Sequence, residues 1–221
     1  MSEMEIIIAR LTDELRRRLT EGIRNGLSIP ELTEEFRRTV AEMGYETLLQ
    51  QSINGALWDA ERLLIRDLGA EWVKDHSLGN TAPLTEIADR TLRGFTRLTE
   101  RMEEQVIAEI RFSIQRNHKT SEIADRLVNR LSAQRSHAET WARTSRSGIA
   151  TEYTVQAAKS AGIEHLQLVG PSPERAFCRE HYREIKTIEE WSQLDNRQGL
   201  PVITYVGGYR CVHRLRAYIK T

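Results

Sequence analysis

The sequence predicts a mainly α fold: an elongated multi-helix N-terminal region followed by a small C-terminal α+β domain containing a β-hairpin. Three observations lead there. Of 221 residues 29% are charged and only 6% aromatic, with 13 Gly and 5 Pro, the profile of long solvated helices and not of a β-sandwich. Apolar residues recur at three- and four-residue spacing through the first 160 positions, the period of one helix face. After Gly162 that period gives way to short apolar strings bounded by turn residues, which read as strands.

Taken in order, Ile7, Leu11, Leu15, Leu19 and Ile23 place one apolar stripe on a helix from Ser2 to Asn25, ended by Gly26. Ser28-Ile29-Pro30-Glu31 restarts the chain with a capping box, Pro30 lying where no amide partner is lost, and a short helix runs to about Met43. From about Glu46 to Lys74, Leu49, Ile53, Leu57, Ala60, Leu64 and Leu68 share a face, with Gly55 and Gly69 as weak points. Gly79-Asn80-Thr81-Ala82-Pro83 is a break. The stripe Ile87, Thr91, Phe95, Leu98, Met102, Val106, Ile110, Ile114 then makes a long helix from about Leu84 to Arg116. Its stripe suits an intramolecular core, a helical hairpin seam or a surface for another chain.

Beyond a loop at Asn117 to Ser121, two further helices are expected, Ser121 to Leu131 and Gln134 to Ser160, the second stopped by Gly162. A domain boundary is placed there: residues 1–117 as helical stem, 118–221 as a second domain. His165 to Val169 reads as a strand ended by Gly170-Pro171-Ser172-Pro173, and Thr187-Ile188-Glu189-Glu190 as a capping box opening a short helix through Trp191 and Leu194. Val202 to Val206 and Tyr209 to Val212 flank Gly207-Gly208, a hairpin signal because glycine accepts positive φ. Trp141 and Trp191 read as core anchors.

Charge excludes some functions. Lys plus Arg and Asp plus Glu both number 32, so no strong global field draws the chain to nucleic acid or to an anionic membrane. The distribution is uneven: residues 134–221 hold 13 basic and 9 acidic side chains, and the last twelve carry four basic and none acidic. Arg210, Arg214, Arg216 and Lys220 are therefore the candidate, and weak, nucleic-acid contacts. No apolar run approaches the roughly 18 residues of a membrane span. Met1-Ser2-Glu3-Met4-Glu5 is acidic where a signal peptide is basic, so a soluble protein made in the cytoplasm is expected.

Both cysteines lie in the last domain, each beside a histidine: Cys178-Arg179-Glu180-His181 and Cys211-Val212-His213. Two thiolates and two imidazoles suit a four-coordinate zinc ion stapling the segment after the first strand to the hairpin, so Cys178, His181, Cys211 and His213 are the candidate ligands of one structural zinc. On a regular strand Cys211 and His213 share a face, and joint ligation requires a bend. The same residues also read as two ordinary thiols with two surface histidines, or as a Cys178–His181 nucleophile pair without an orienting Asn or Asp. Gly-rich phosphate loops, Gly-x-Ser-x-Gly and His-Glu-x-x-His are missing from the sequence. No catalytic residue and no organic cofactor are assigned, and an enzyme is not expected.

Several motifs carry a resemblance: Thr120-Ser121-Glu122-Ile123-Ala124; Ala138-Glu139-Thr140-Trp141-Ala142-Arg143-Thr144; Ala161-Gly162; Gly170-Pro171-Ser172 through Arg175-Ala176-Phe177-Cys178-Arg179-Glu180-His181; and Gly199-Leu200-Pro201-Val202 through Gly207-Gly208-Tyr209-Arg210-Cys211-Val212-His213-Arg214. In this order they resemble the C-terminal domain of phage Mu F-like head morphogenesis proteins, over about residues 119–216. Val212 departs from the pattern, since the family often has Arg between the last Cys and His. The resemblance implies a structural minor capsid protein of a tailed phage or prophage-derived particle. It further implies a few copies in the virion head, contact with the portal or major capsid protein, and a part in DNA packaging or ejection, with assembly in the host cytoplasm. Self-association through the stem and contact with packaged DNA are further readings. A zinc-stapled nucleic-acid-binding protein, or a Cys/His-dependent enzyme or effector, are the alternatives.

Overall fold

The computed structural model describes residues 2–76 and 82–219. The break expected around Gly79 to Thr81 lies outside the described residues, as does Lys220. Nine helices and three strands follow in order: α1 Glu3–Arg24, α2 Ile29–Glu42, α3 Tyr45–Leu68, α4 Ala70–His76, α5 Ala82–Gln115, α6 Thr120–Ser160, β1 His165–Val169, α7 Ala176–Glu180, β2 Ile185–Thr187, α8 Ile188–Gln193, α9 Val202–Tyr205 and β3 Arg214–Ala217, among the described residues. The mainly helical class with a small C-terminal sheet is as the sequence predicts. None of the helices is long and apolar enough to cross a membrane, among the described residues.

The chain divides into two compact units, Met1–Ser52 with Leu92–Glu139, and Ile53–Thr91 with Thr140–Thr221. The division falls inside α3, α5 and α6 and not at the expected 117/118 boundary, because each of these long helices gives one end to each unit.

In the first unit the expected stripes turn most of their members inward, Leu11, Leu15 and Leu19 of α1, Leu49 of α3, Phe95, Met102, Val106 and Ile110 of α5, Leu127 and Leu131 of α6, while Ile114 at the end of the α5 stripe is 44% exposed; α2 buries Leu32 and Phe36. Caps fix the helix starts. The Ser2 amide donates to the Glu5 carboxylate at 2.6 Å and the Ser2 hydroxyl accepts from the Glu5 amide. Glu31 takes both the Ser28 amide, at 2.7 Å, and the Ser28 hydroxyl, at 2.6 Å, which satisfies a donor the helix cannot. Arg37 reaches from α2 to Glu103 of α5, and Arg126 and Arg130 of α6 converge on Glu109 of α5.

Gly69 (φ 92) ends α3 one residue before α4, where the sequence allows a weak point. The two helices expected around residues 121–160 are one: α6 runs unbroken. No Gly or Pro interrupts residues 130–136, so nothing halts propagation there.

The second unit holds the three-stranded antiparallel sheet in the order β2-β1-β3. Leu166 pairs with Lys186 on one side and Ala217 on the other. Leu166 and Leu168 of β1 and Leu215 and Ala217 of β3 point into a core shared with Val155 and Ala158 of α6, Trp191, Val202 and Val206, the alternation a one-sided sheet requires. Trp191 is fully buried and its indole N–H donates to the Leu166 carbonyl at 3.0 Å. Thr187 and Glu190 form the expected reciprocal box at the start of α8.

The hairpin across Gly207-Gly208 is not formed. Val202–Tyr205 is the helical turn α9, with Tyr205 and Val206 amides donating to the carbonyls of Pro201 and Val202, four residues back. Val202 and Val206, at i and i+4, are both buried by this turn, so core packing overrides the β propensity of the run. The third strand is supplied instead by Arg214–Ala217. Of the two glycines only Gly208 has positive φ, 86°.

Candidate metal centre

Cys178, Cys211 and His213 are drawn from two places in the chain and buried together. Cys178 lies on α7, a short helix in a stretch the periodicity does not mark, and packs in the core beside Trp191 and Leu215. Cys211 follows the turn closed by the Cys211 amide on the Gly208 carbonyl at 3.1 Å. Residues 211–213 belong to no strand and lead directly into β3. The Cys211 and His213 side chains turn inward while Val212 between them is 68% exposed.

The two sulfurs are 3.6 Å apart, and Cys211 Sγ lies 3.7 Å from His213 Nδ1. One potential donor atom from each of the three residues falls within 4.8 Å of the others, so the group can hold a metal ion. His213 is prepared for that role by its other nitrogen. Nε2 lies 3.0 Å from the Pro171 carbonyl, which can only accept, so Nε2 carries a proton and Nδ1, beside Cys211, is the nitrogen that can serve as a ligand. Both cysteines are free. Hydrogen bonding to the Cys178 thiol, to the His213 amide and ring and to the Gly207 amide pulls the Cys211 thiol down despite its burial. Sharing its proton with Cys211, and burial, push the Cys178 thiol up.

Two glycines shape the cradle. A Cβ on Gly207 would stand 2.5 Å from Cys178 Sγ and 3.0 Å from Cys211 Sγ, and one on Gly170 (φ 157) would stand 2.6 Å from the His213 ring. Both positions belong to runs read in sequence only as turns; their role against the site has no local signature. The α6 helix supports the cradle: Thr144 Oγ1 accepts from the Arg210 amide, and Ser147 Oγ donates to the His213 carbonyl, each at 3.0 Å.

His181 is not in the group. It follows Cys178 by three residues, but its Nδ1 is 2.8 Å from Glu184, and its ring lies edge-on to Phe177 and Trp191. Three of the four candidate nucleic-acid residues are likewise engaged with protein. Arg210 Nε donates to Thr140 Oγ1 at 2.9 Å, and Arg216 donates to Gln167 Oε1 at 2.6 Å. Arg214 pairs with the nearly buried Asp67 at 2.6 Å.

Comparison with protein-family models, curated proteins and solved structures returns no match.

Proposed function

We propose that the chain is a structural minor head protein of a tailed bacteriophage or prophage-derived particle. In this reading it contacts the portal or capsid and assists head assembly and DNA packaging or ejection, and one zinc ion staples its C-terminal end. The observation that carries the reading is convergence. Residues from separate blocks of the Mu F-like resemblance, Thr140 and Thr144, Gly170 and Pro171, Cys178, Gly207, Arg210, Cys211 and His213, meet around one cradle. Motif order in a sequence can arise without contact; contact among the motif residues is what a shared domain requires.

Zinc is the metal favoured by this donor set. Thiolate and imidazole ligands at about 2.3 and about 2.0 Å in a tetrahedron stand about 3.8 Å (S to S) and about 3.5 Å (S to N) apart. The observed 3.6 and 3.7 Å are close to those edges. Engagement of Arg210, Arg214 and Arg216 with protein partners weighs for the structural reading over a nucleic-acid-binding one.

Two measurements test the proposal. Elemental analysis should find about one zinc per chain, lost in Cys178→Ser and Cys211→Ser, with the melting temperature of Cys178→Ser lowered by several degrees; a well-folded chain free of metal removes the staple. Mass spectrometry of particles purified from the cells that encode the chain should find it in the heads at low copy number. Its absence from complete heads overturns the head-protein reading.

A further inference from the structure

Val206 is the anomaly of the second unit. It is a β-branched residue, fully buried, at φ 42 and ψ −104, a backbone region such a side chain enters only under constraint. The next residue is Gly207, the one laid against both sulfurs. The constraint comes from Asn196, which is 5% exposed. Its Nδ2 donates to the Val206 carbonyl at 2.9 Å and to the Leu200 carbonyl at 2.8 Å, and its Oδ1 accepts from the Gln198 amide at 3.0 Å. The partners fix the amide's orientation, since two carbonyls can only accept and the Gln198 amide can only donate.

The Val206 carbonyl and the Gly207 amide belong to one trans peptide group and point in opposite directions. Holding the carbonyl toward Asn196 therefore aims the Gly207 N–H away from it and fixes how Gly207 lies against the two sulfurs. The far side of Gly207 is tied as well: its carbonyl accepts from Arg175 at 3.2 Å. Gln198 Oε1 accepts the Tyr209 amide at 2.7 Å and closes the turn that leads to Cys211.

We propose that Asn196 is a positioning residue of the Cys178–Cys211–His213 group, holding the Val206–Gly207 peptide so that Gly207 cradles both sulfurs. This inference rests on the metal reading above. Asn196 touches none of the three side chains through any hydrogen bond in the described structure; it acts through the peptide.

The test uses the full chain and cobalt(II), whose thiolate charge-transfer absorption reports both binding and the sulfur environment. Asn196→Ala should lower cobalt affinity about 10- to 100-fold, the usual effect of losing a partner that orients a metal ligand. Val206→Gly, added to Asn196→Ala, should recover most of that loss, because glycine takes this backbone conformation without being forced. The recovery must come while the melting temperature falls further, since a buried side chain has been removed. Affinity and stability moving in opposite directions is a result that a merely structural Asn196 does not produce. Single Val206→Gly, which does not depend on the Asn196 variant folding, should keep wild-type affinity at a lower melting temperature.

Equal affinity and spectrum in wild type and Asn196→Ala, no recovery in the double variant, or loss of affinity in Val206→Gly each overturns the role of Asn196. Failure of the wild-type chain to bind cobalt overturns the metal reading itself, and the inference with it.

Discussion

Replacing Gly207 by Ala tests the cradle with one carbon atom. That carbon would lie 2.5 Å from Cys178 Sγ and 3.0 Å from Cys211 Sγ, against an ordinary contact distance of about 3.5–4.0 Å. Relief of about 1 Å has to come from Cys178, whose side chain is fully buried in the core with Trp191 and Leu215. Overpacking of this kind costs about 1–3 kcal/mol. Gly207 does not sit at positive φ, so no left-handed strain adds to that cost, and the stiffer unfolded chain returns about 0.4–1 kcal/mol. The net expectation is about 1–2 kcal/mol, or a melting temperature lower by about 2–8 °C for a chain of this size. Thermal unfolding followed by tryptophan fluorescence measures it. Gly55→Ala is the matched control: in the middle of α3, with nothing within 4 Å of the new carbon, it should stabilise by about 0.5–1 kcal/mol. A Gly207→Ala chain that melts at or above wild type, with undiminished metal content, refutes the geometry of the cradle.

Two other substitutions probe the rest of the chain. Asp67 and Arg214 are an ion pair with side chains 6% and 13% exposed, and Arg214 Nη1 has no hydrogen-bond partner among the described residues. Asp67→Ala strands a buried guanidinium and should cost about 3–5 kcal/mol in urea unfolding, whereas Asp67→Leu with Arg214→Met should recover most of it; equal damage from both argues against a shared desolvation cost. In the first unit, hydrogen bonds from Arg17 and Arg18 hold the Glu14 carboxyl at about 2, below its ordinary 4.5. A depressed acid stabilises above its unfolded value and loses that contribution as pH falls through its folded value. Glu14→Gln should therefore be less stable than wild type at pH 7, with the gap closing between pH 4.5 and about 2 and narrowing in concentrated salt; a pH-independent gap contradicts the assignment.

The helices were legible because each carries its own instruction. The four-residue stripe of α1, the Ser28 and Thr187 caps and the Gly26 and Gly162 stops act within a turn or two of the residues concerned, and that range is what a sequence pattern reports. The Cys178, Cys211 and His213 candidates were legible by residue chemistry, since two thiols each beside an imidazole limit what can bind them. The errors lie where distant packing outvotes local preference. The β-branched run at residues 202–206 winds into α9 because Val202 and Val206 have to reach one core, and the strand its composition suggests appears at 214–217 instead.

Tertiary structure alone decided the environment of the candidate site. It turned His181 to Glu184, fixed a proton on His213 Nε2 through a carbonyl 42 residues away, and set Gly207 against two sulfurs 33 residues apart in sequence. It bound Arg210, Arg214 and Arg216 to partners on α6, α3 and β1. None of these follows from spacing, because each depends on which backbone atoms the fold brings within 3 to 4 Å. The sequence by itself determined the helical faces, the start of the short-strand region and the chemistry of the ligands; folding determined which of those ligands meet, since hydrogen bonds and close packing act at contact distance and not along the chain.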